Sequence, residues 1–318
     1  VSPPRCGTVD AVHRVATLTL VAALGVLGCG AETTTTGEVT ATVDAPRDAV
    51  PTSTGEQGAT PDTSTSTTTD TTTSTSTTST STTSTTTTST IAIPATTGPL
   101  DLDADRVGLG RSVDGRPIIA ERSGTVGGRR VLVIGVIHGN EDAGVAIVED
   151  LRSTPVPDGV ELWIVESMNP DGQAGQFRGN ANGVDLNRNF PYRWGPIGEL
   201  GDSQYAGPAP ASEPETQAMV NFMSQLRPDI TIWYHQDLFV INPSDGREGR
   251  VRTRYAQLTG LPMGQITGGT YTGVAATWAR NEFRDADGVA FIVELGPTLS
   301  PQEAVTHADA VRTIAVEG

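Results

Sequence analysis

His138 and Glu141 stand three residues apart where the apolar run VLVIGVIHGNE gives out. An imidazole and a carboxylate are ligands that zinc accepts, and here they are the only kind on offer. The two cysteines, Cys6 and Cys29, both lie near the N-terminus, so no thiolate is available to the rest of the chain. Gly139, between the two candidates, lets the backbone double back so that both can meet one ion. A third ligand is expected from a distant strand end, and the run ITIWYHQD supplies His235 there. Two imidazoles and one carboxylate leave one position of a tetrahedral zinc open, the arrangement of a catalytic site holding one Zn2+. Either histidine alone could merely cap a sheet end. Of the four histidines, however, His13 lies near the N-terminus and His307 in a C-terminal helical stretch, and the other two both close apolar runs.

Glu294 ends GVAFIVEL. A carboxylate closing a hydrophobic strand is costly unless it has a partner or a task. The fitting task is to take a proton from a water held by the metal and pass it to a leaving amine. Asn187 and Arg188, within NANGVDLNRNFPYRW, are suited to a substrate carboxylate, with the guanidinium as a two-pronged donor. Arg178, ten residues before Arg188, could polarise a scissile carbonyl and stabilise the oxyanion formed there. A loop salt bridge between Asp185 and Arg188 is the plainer alternative, and Asn180 and Asn182 read as residues that shape the loop.

These groups need a scaffold that brings strand ends together. Near-continuous apolar runs at 117–121, 130–137, 160–167, 230–235 and 289–295 read as strands, several buried on both faces. Helical patterns occupy 142–152, 213–226, 274–283 and 301–316, the second opened by Ser212 with Glu213 and Glu215. Alternation of strands and helices implies one α/β domain over 99–318 with a parallel or mixed sheet, long enough for a single core. In such sheets ligands bind beyond the carboxyl ends of the strands, where the polar residues above fall.

The rest of the 318 residues reads differently. Residues 1–29 resemble an export signal: Arg5 and Arg14 flank an uncharged apolar run over 15–28. That run is shorter than the roughly 20 apolar residues of a membrane-spanning helix. It ends in Val26-Leu27-Gly28-Cys29, similar to a bacterial lipobox, so Cys29 is a candidate lipidation site and membrane anchor, with ordinary signal cleavage as the alternative because Leu27 is bulky. Residues 30–98 are Thr/Ser-rich and carry too little apolar content to offset ordering entropy, so a disordered linker is expected. As a flexible coil its ends would stand on the order of 40–50 Å apart. An exported, surface-held protein follows. Lysine is absent and the net charge is −16, which excludes Schiff-base chemistry and argues against a nucleic-acid partner.

The ordered set HGNE, NPDG (residues 169–172), the Arg178 segment, DLNRNF, ASEPET, YHQD and VEL resembles the zinc carboxypeptidase family, typified by carboxypeptidase A. The likeness runs from about residue 107 to the C-terminus and is similar in type to compact bacterial members such as murein peptide amidases. It implies a twisted mixed sheet of about eight strands flanked by helices. It also implies zinc on His138, Glu141 and His235, Glu294 as general base, Arg178 at the carbonyl, and Asn187 with Arg188 on the terminal carboxylate. A mobile Tyr over the substrate would be Tyr271, which stands about two residues too close to Trp278 for the family's spacing. Ala275 and Ala276, in the segment that lines the family's side-chain pocket, offer no charged specificity partner. The expected activity is removal of a C-terminal residue from a peptide or muropeptide with a free carboxylate, by a monomer. The murein variant would cut γ-D-glutamyl–diaminopimelate bonds. An aspartoacylase-like N-acyl amino acid deacylase shares HGNE and DLNR, but lacks the company of NPDG and ASEPET.

Overall fold

The computed structural model describes residues 98–267 and 269–318. The readings for 1–29, Cys29 included, and for 30–97 lie outside the described residues.

Six strands form one mixed sheet: β1 (Arg106–Arg111), β2 (Pro117–Gly124), β3 (Arg129–Val136), β4 (Val160–Ser167), β5 (Ile230–Gln236) and β6 (Val289–Leu295). Their order is β1-β2-β4-β3-β5-β6. β1 and β2 are antiparallel additions, whereas β4, β3, β5 and β6 run parallel. The helices are α1 (Gly144–Ser153), α2 (Pro170–Gly175), α3 (Pro214–Leu226), α4 (Gly246–Thr259), α5 (Ala275–Glu282) and α6 (Pro301–Glu317).

The α/β architecture agrees with expectation, with six strands among the described residues where about eight were expected. Past β5 the chain makes only single bridges, Val240 with Glu294 and Ile241 with Met263. Asn242-Pro243-Ser244-Asp245-Gly246 follows at once, and a proline beside turn-forming residues cannot extend a ladder. The parallel strands are buried on both faces, which is why they read as apolar runs. One face packs against α1, α4 and α6, through Val131, Val133, Ile232, Phe291, Tyr255 and Val311 among others. The other packs against α3 and α5, through Leu132, Ile134, Trp163, Trp233, Phe222 and Trp278. Each fully buried large side chain contributes about 1.5–3 kcal/mol.

Alternation along the strands then assigns the polar ends to a face. His235 follows Trp233 by two residues, and Glu294 lies two beyond Ile292, so both belong to the α3/α5 side. His235 and Glu294 are register partners across β5 and β6. β3 connects through α1 to β4 on one side, while β5 lies on its other side. That switch in direction opens a crevice beyond the carboxyl ends.

Candidate metal centre and substrate pocket

Glu141 reaches two imidazoles at once. Its Oε1 lies 2.9 Å from His138 Nδ1 and its Oε2 lies 3.0 Å from His235 Nδ1. One ligand atom from each of His138, Glu141 and His235 falls within 4.8 Å of the others. All three residues are buried. His138 Nδ1 makes no hydrogen bond, although Glu141 Oε1 lies 2.9 Å away. A buried ring nitrogen without a hydrogen bond, facing a carboxylate and a second imidazole, is what a cation would satisfy. The three residues therefore fit a zinc ion.

The opposite ring nitrogens are held by the protein. His138 Nε2 lies 2.9 Å from Asp185 Oδ1, and His235 Nε2 lies 3.4 Å from Asn187 Nδ2. With Nε2 of His138 donating to Asp185, its Nδ1 carries the free lone pair that a metal needs. Burial pushes His235 down to about 4, so it is neutral at physiological pH. Burial would raise the carboxyl of Glu141, but the adjacent rings of His138 and His235 overcome it and hold the group well below the usual range. Asp185 is likewise held low, burial being outweighed by His138 and Arg178.

Glycine at position 139 has a different reason from the one expected. A Cβ there would meet Gly172 C at 1.9 Å, so the HGNE turn needs glycine for close approach to the backbone of α2. Asn169, from NPDG, ties this corner together: its Nδ2 donates to the carbonyls of Ile137, Arg178 and Gly179. Asn180 donates to Glu213 and Glu215, and Asn182 to Glu213, so ASEPET and the loop that contains DLNRNF are clamped to each other.

Asp185 does not pair with Arg188. Its Oδ2 accepts from Arg178 Nε at 3.1 Å and Nη2 at 2.9 Å, while Arg178 Nη1 donates to Glu141 Oε1 at 2.8 Å. Arg188 is buried, donates through Nη1 to the Asn187 carbonyl, and keeps Nε without a partner. Tyr271 is half exposed, and its ring lies 5.1 Å from the Arg188 guanidinium. Asn187 Oδ1 is already taken by the Ala275 N–H at 3.0 Å, which leaves its amide nitrogen to face the site.

A cavity of about 540 Å³ is lined by His138, Glu141, Arg178, Asn187, Arg188, His235, Tyr271 and Glu294 together. The eight candidate metal, catalytic and substrate-binding residues of the folded domain thus line one cavity. Glu294 Oε2 is buried without a hydrogen bond, and burial together with the charge of Glu141 pushes its carboxyl up to about 7. Asp185 was missed as the partner of His138; its signal was a carboxylate immediately before a turn that carries a binding pair. Arg252 and Arg280 also line the cavity, whereas of the two small residues Ala276 does and Ala275 does not. The cavity's two further positive charges come from Arg252 on α4 and from Arg280, one turn along α5 from Ala276, with no spacing pattern in common.

Residues 104–244 match the sequence model of the zinc carboxypeptidase family. Murein peptide amidase A of Escherichia coli (strain K12) is 32% identical over 180 residues, covering 53% of this chain and 74% of that protein. The crystal structure of murein-tripeptide amidase MpaA from Escherichia coli O157 superposes with a TM-score of 0.55 at 26% identity, over 70% of this chain and 93% of that one. Carboxypeptidase A from Helicoverpa armigera shares the fold, with a TM-score of 0.58 at 17% identity over 67% of each chain. The sequence motifs, the sheet and this cavity agree with those likenesses, and the chain belongs to the zinc carboxypeptidase family of hydrolases.

Proposed function

We propose that the chain is a zinc metallocarboxypeptidase that hydrolyses the C-terminal amide bond of peptides bearing a free carboxylate. One observation carries this reading. Three ligand atoms within 4.8 Å of one another share a cavity with Glu294, whose Oε2 is buried without a partner, and with a buried arginine, Arg188.

His138, Glu141 and His235 would hold the zinc. When bound, the ion supplies a Lewis acid that polarises a carbonyl and acidifies water. Asp185 fixes the ring of His138 through Nε2. Glu294 takes a proton from the attacking water and returns it to the leaving amine. A carboxyl poised near neutrality can do both. Arg178, next to Glu141, stabilises the negative charge that develops on the carbonyl oxygen. Arg188 and Asn187 bind the terminal carboxylate, and Tyr271, packed on the Arg188 guanidinium, covers it. The same proposal takes residues 1–29 as an export signal with Cys29 lipidated, and residues 30–98 as a linker that holds a monomeric catalytic domain at the cell surface.

A second reading is a murein peptide amidase acting on muropeptides with the same residues. The 32% identity to the Escherichia coli amidase over 74% of its length favours it. The test is to digest wall fragments, peptides with free or amidated C-termini, and N-acyl amino acids, with and without chelator, and to identify products by mass spectrometry. Loss of one terminal residue from free-carboxylate peptides only, abolished by chelator, is the expected result. Cleavage that ignores the terminal carboxylate or the chelator would overturn it.

A further inference from the structure

Among the described residues β6 is the last strand of the sheet, and its outer edge has no ladder partner there apart from the bridge of Glu294 to Val240. At Ala290 side chains take over. The N–H donates to Glu248 Oε2 at 3.2 Å, and the carbonyl accepts from Arg252 Nη2 and Arg280 Nη1, each at 3.4 Å. Arg252 arrives from α4 on one face of the sheet and Arg280 from α5 on the other. Both arginines also line the cavity that holds the candidate metal ligands.

Capping one strand-edge carbonyl needs one donor. Here two guanidinium groups share one carboxylate, since Glu248 Oε1 accepts from Arg252 at 2.5 Å and from Arg280 at 3.3 Å. One positive charge is left over. Arg252 is only 4% exposed, and its Nε has no partner. A surplus charge with an unused donor, in a concave and partly dry site, is matched by an anion.

The position of the pair sets the shape of that anion. Ala290 precedes Glu294 by four residues on β6, which is roughly 13 Å of strand. Ile292, between them on the same side, lines the cavity as an apolar wall. A terminal residue with its α-carboxylate on Arg188 and its amide beside Glu294 would run its side chain past Ile292 towards the two arginines. We infer that Arg252 and Arg280 read a second carboxylate at the end of a long side chain on the terminal residue. The inference rests on the carboxypeptidase reading above.

The test uses the zinc-loaded full chain and peptides that differ only in a C-terminal Leu, Arg, Asp, Glu or 2-aminoadipate. The expected result is kcat/KM at least ~10-fold higher for Glu or 2-aminoadipate than for Leu. Because Arg252 is buried and its replacement threatens folding, the primary variant is Arg280→Gln, whose side chain is 36% exposed. That variant should bring the acidic-to-neutral ratio towards one. Equal or faster cleavage of Leu or Arg termini, or a ratio unmoved by Arg280→Gln, would overturn the inference while leaving the carboxypeptidase reading standing. A calorimetric arm compares free 2-aminoadipate with norleucine. If no peptide is cleaved, the carboxypeptidase reading falls, and this arm decides the pocket. Tighter binding of the dicarboxylate, weakened by Arg280→Gln, supports it; equal binding overturns it.

Discussion

Asp185 Oδ1 stands 2.9 Å from His138 Nε2, and the other oxygen of the same carboxylate takes two N–H bonds from Arg178. One fully buried side chain therefore orients both a candidate metal ligand and the candidate carbonyl-binding arginine. Removing it leaves His138 Nε2 without a partner and Arg178 held by Glu141 alone. Asp185→Ala should weaken zinc affinity by about 10–100-fold, with Asp185→Asn intermediate. Competition with a chromogenic chelator measures this. A folded Asp185→Ala protein with wild-type affinity would show that His138 needs no such support.

Arg188 lines the site beside the candidate metal ligands and keeps an unpartnered Nε donor for the terminal carboxylate. Arg188→Met should cost about 2–3 kcal/mol of transition-state binding, near 10²-fold in kcat/KM, on free-carboxylate peptides. Amidated peptides, already poor, should lose little. Arg188→Lys should recover part of the loss, because it restores charge without the fork. Retention of the wild-type preference for free termini in Arg188→Met would move the anchor elsewhere.

The candidate metal triad is legible in the sequence because sequence order and strand geometry agree. A buried parallel strand reads as an apolar run, and the first polar residue after it marks the sheet's carboxyl edge, where His138, His235 and Glu294 sit. β1 escaped notice because Gly108 and Gly110 interrupt its apolar pattern. α4 escaped because it carries four arginines and begins at a glycine. Missing α4 also hid Arg252, and no spacing rule connects it to Arg280 on α5. They meet only because two helices on opposite faces converge on one strand edge. Asp185 was set against Arg188 by proximity in the chain, whereas the turn directs it to His138 and Arg178.

His307 offers a test of stability away from the metal. It is buried on α6 and hydrogen-bonded through Nδ1 to the Tyr255 hydroxyl at 2.8 Å. Burial pushes it down to about 4, against the charge of Glu303. Since the folded value lies below the unfolded one, the native state prefers the neutral ring. The contribution is complete above about pH 6.5 and is lost as pH falls towards about 4, to a total of about 3 kcal/mol. Urea midpoints measured across that window should fall less steeply for His307→Gln than for the wild type. Parallel slopes would remove His307 from the acid response.

Glu294 combines two demands that one experiment can separate. Its carboxyl is pushed up to about 7 by burial and then by the charge of Glu141, so in the metal-free site it is substantially protonated at neutral pH. A general base must be ionised, so kcat/KM should rise with pH through this group. A divalent charge beside it favours the ionised form, which puts the midpoint of the acid limb at or below about pH 7 once zinc is bound. Glu294→Gln keeps the shape and removes the base. Zinc affinity should persist, since Glu294 is not among the three converging ligands, while turnover falls by about 10²–10⁴-fold. The residual rate should also lose the acid limb between about pH 5 and 7. A variant that is slow but keeps the limb would assign the titration to another group. A variant that keeps the wild-type rate would remove Glu294 from the chemistry, because a carboxamide cannot accept the proton that hydrolysis must release.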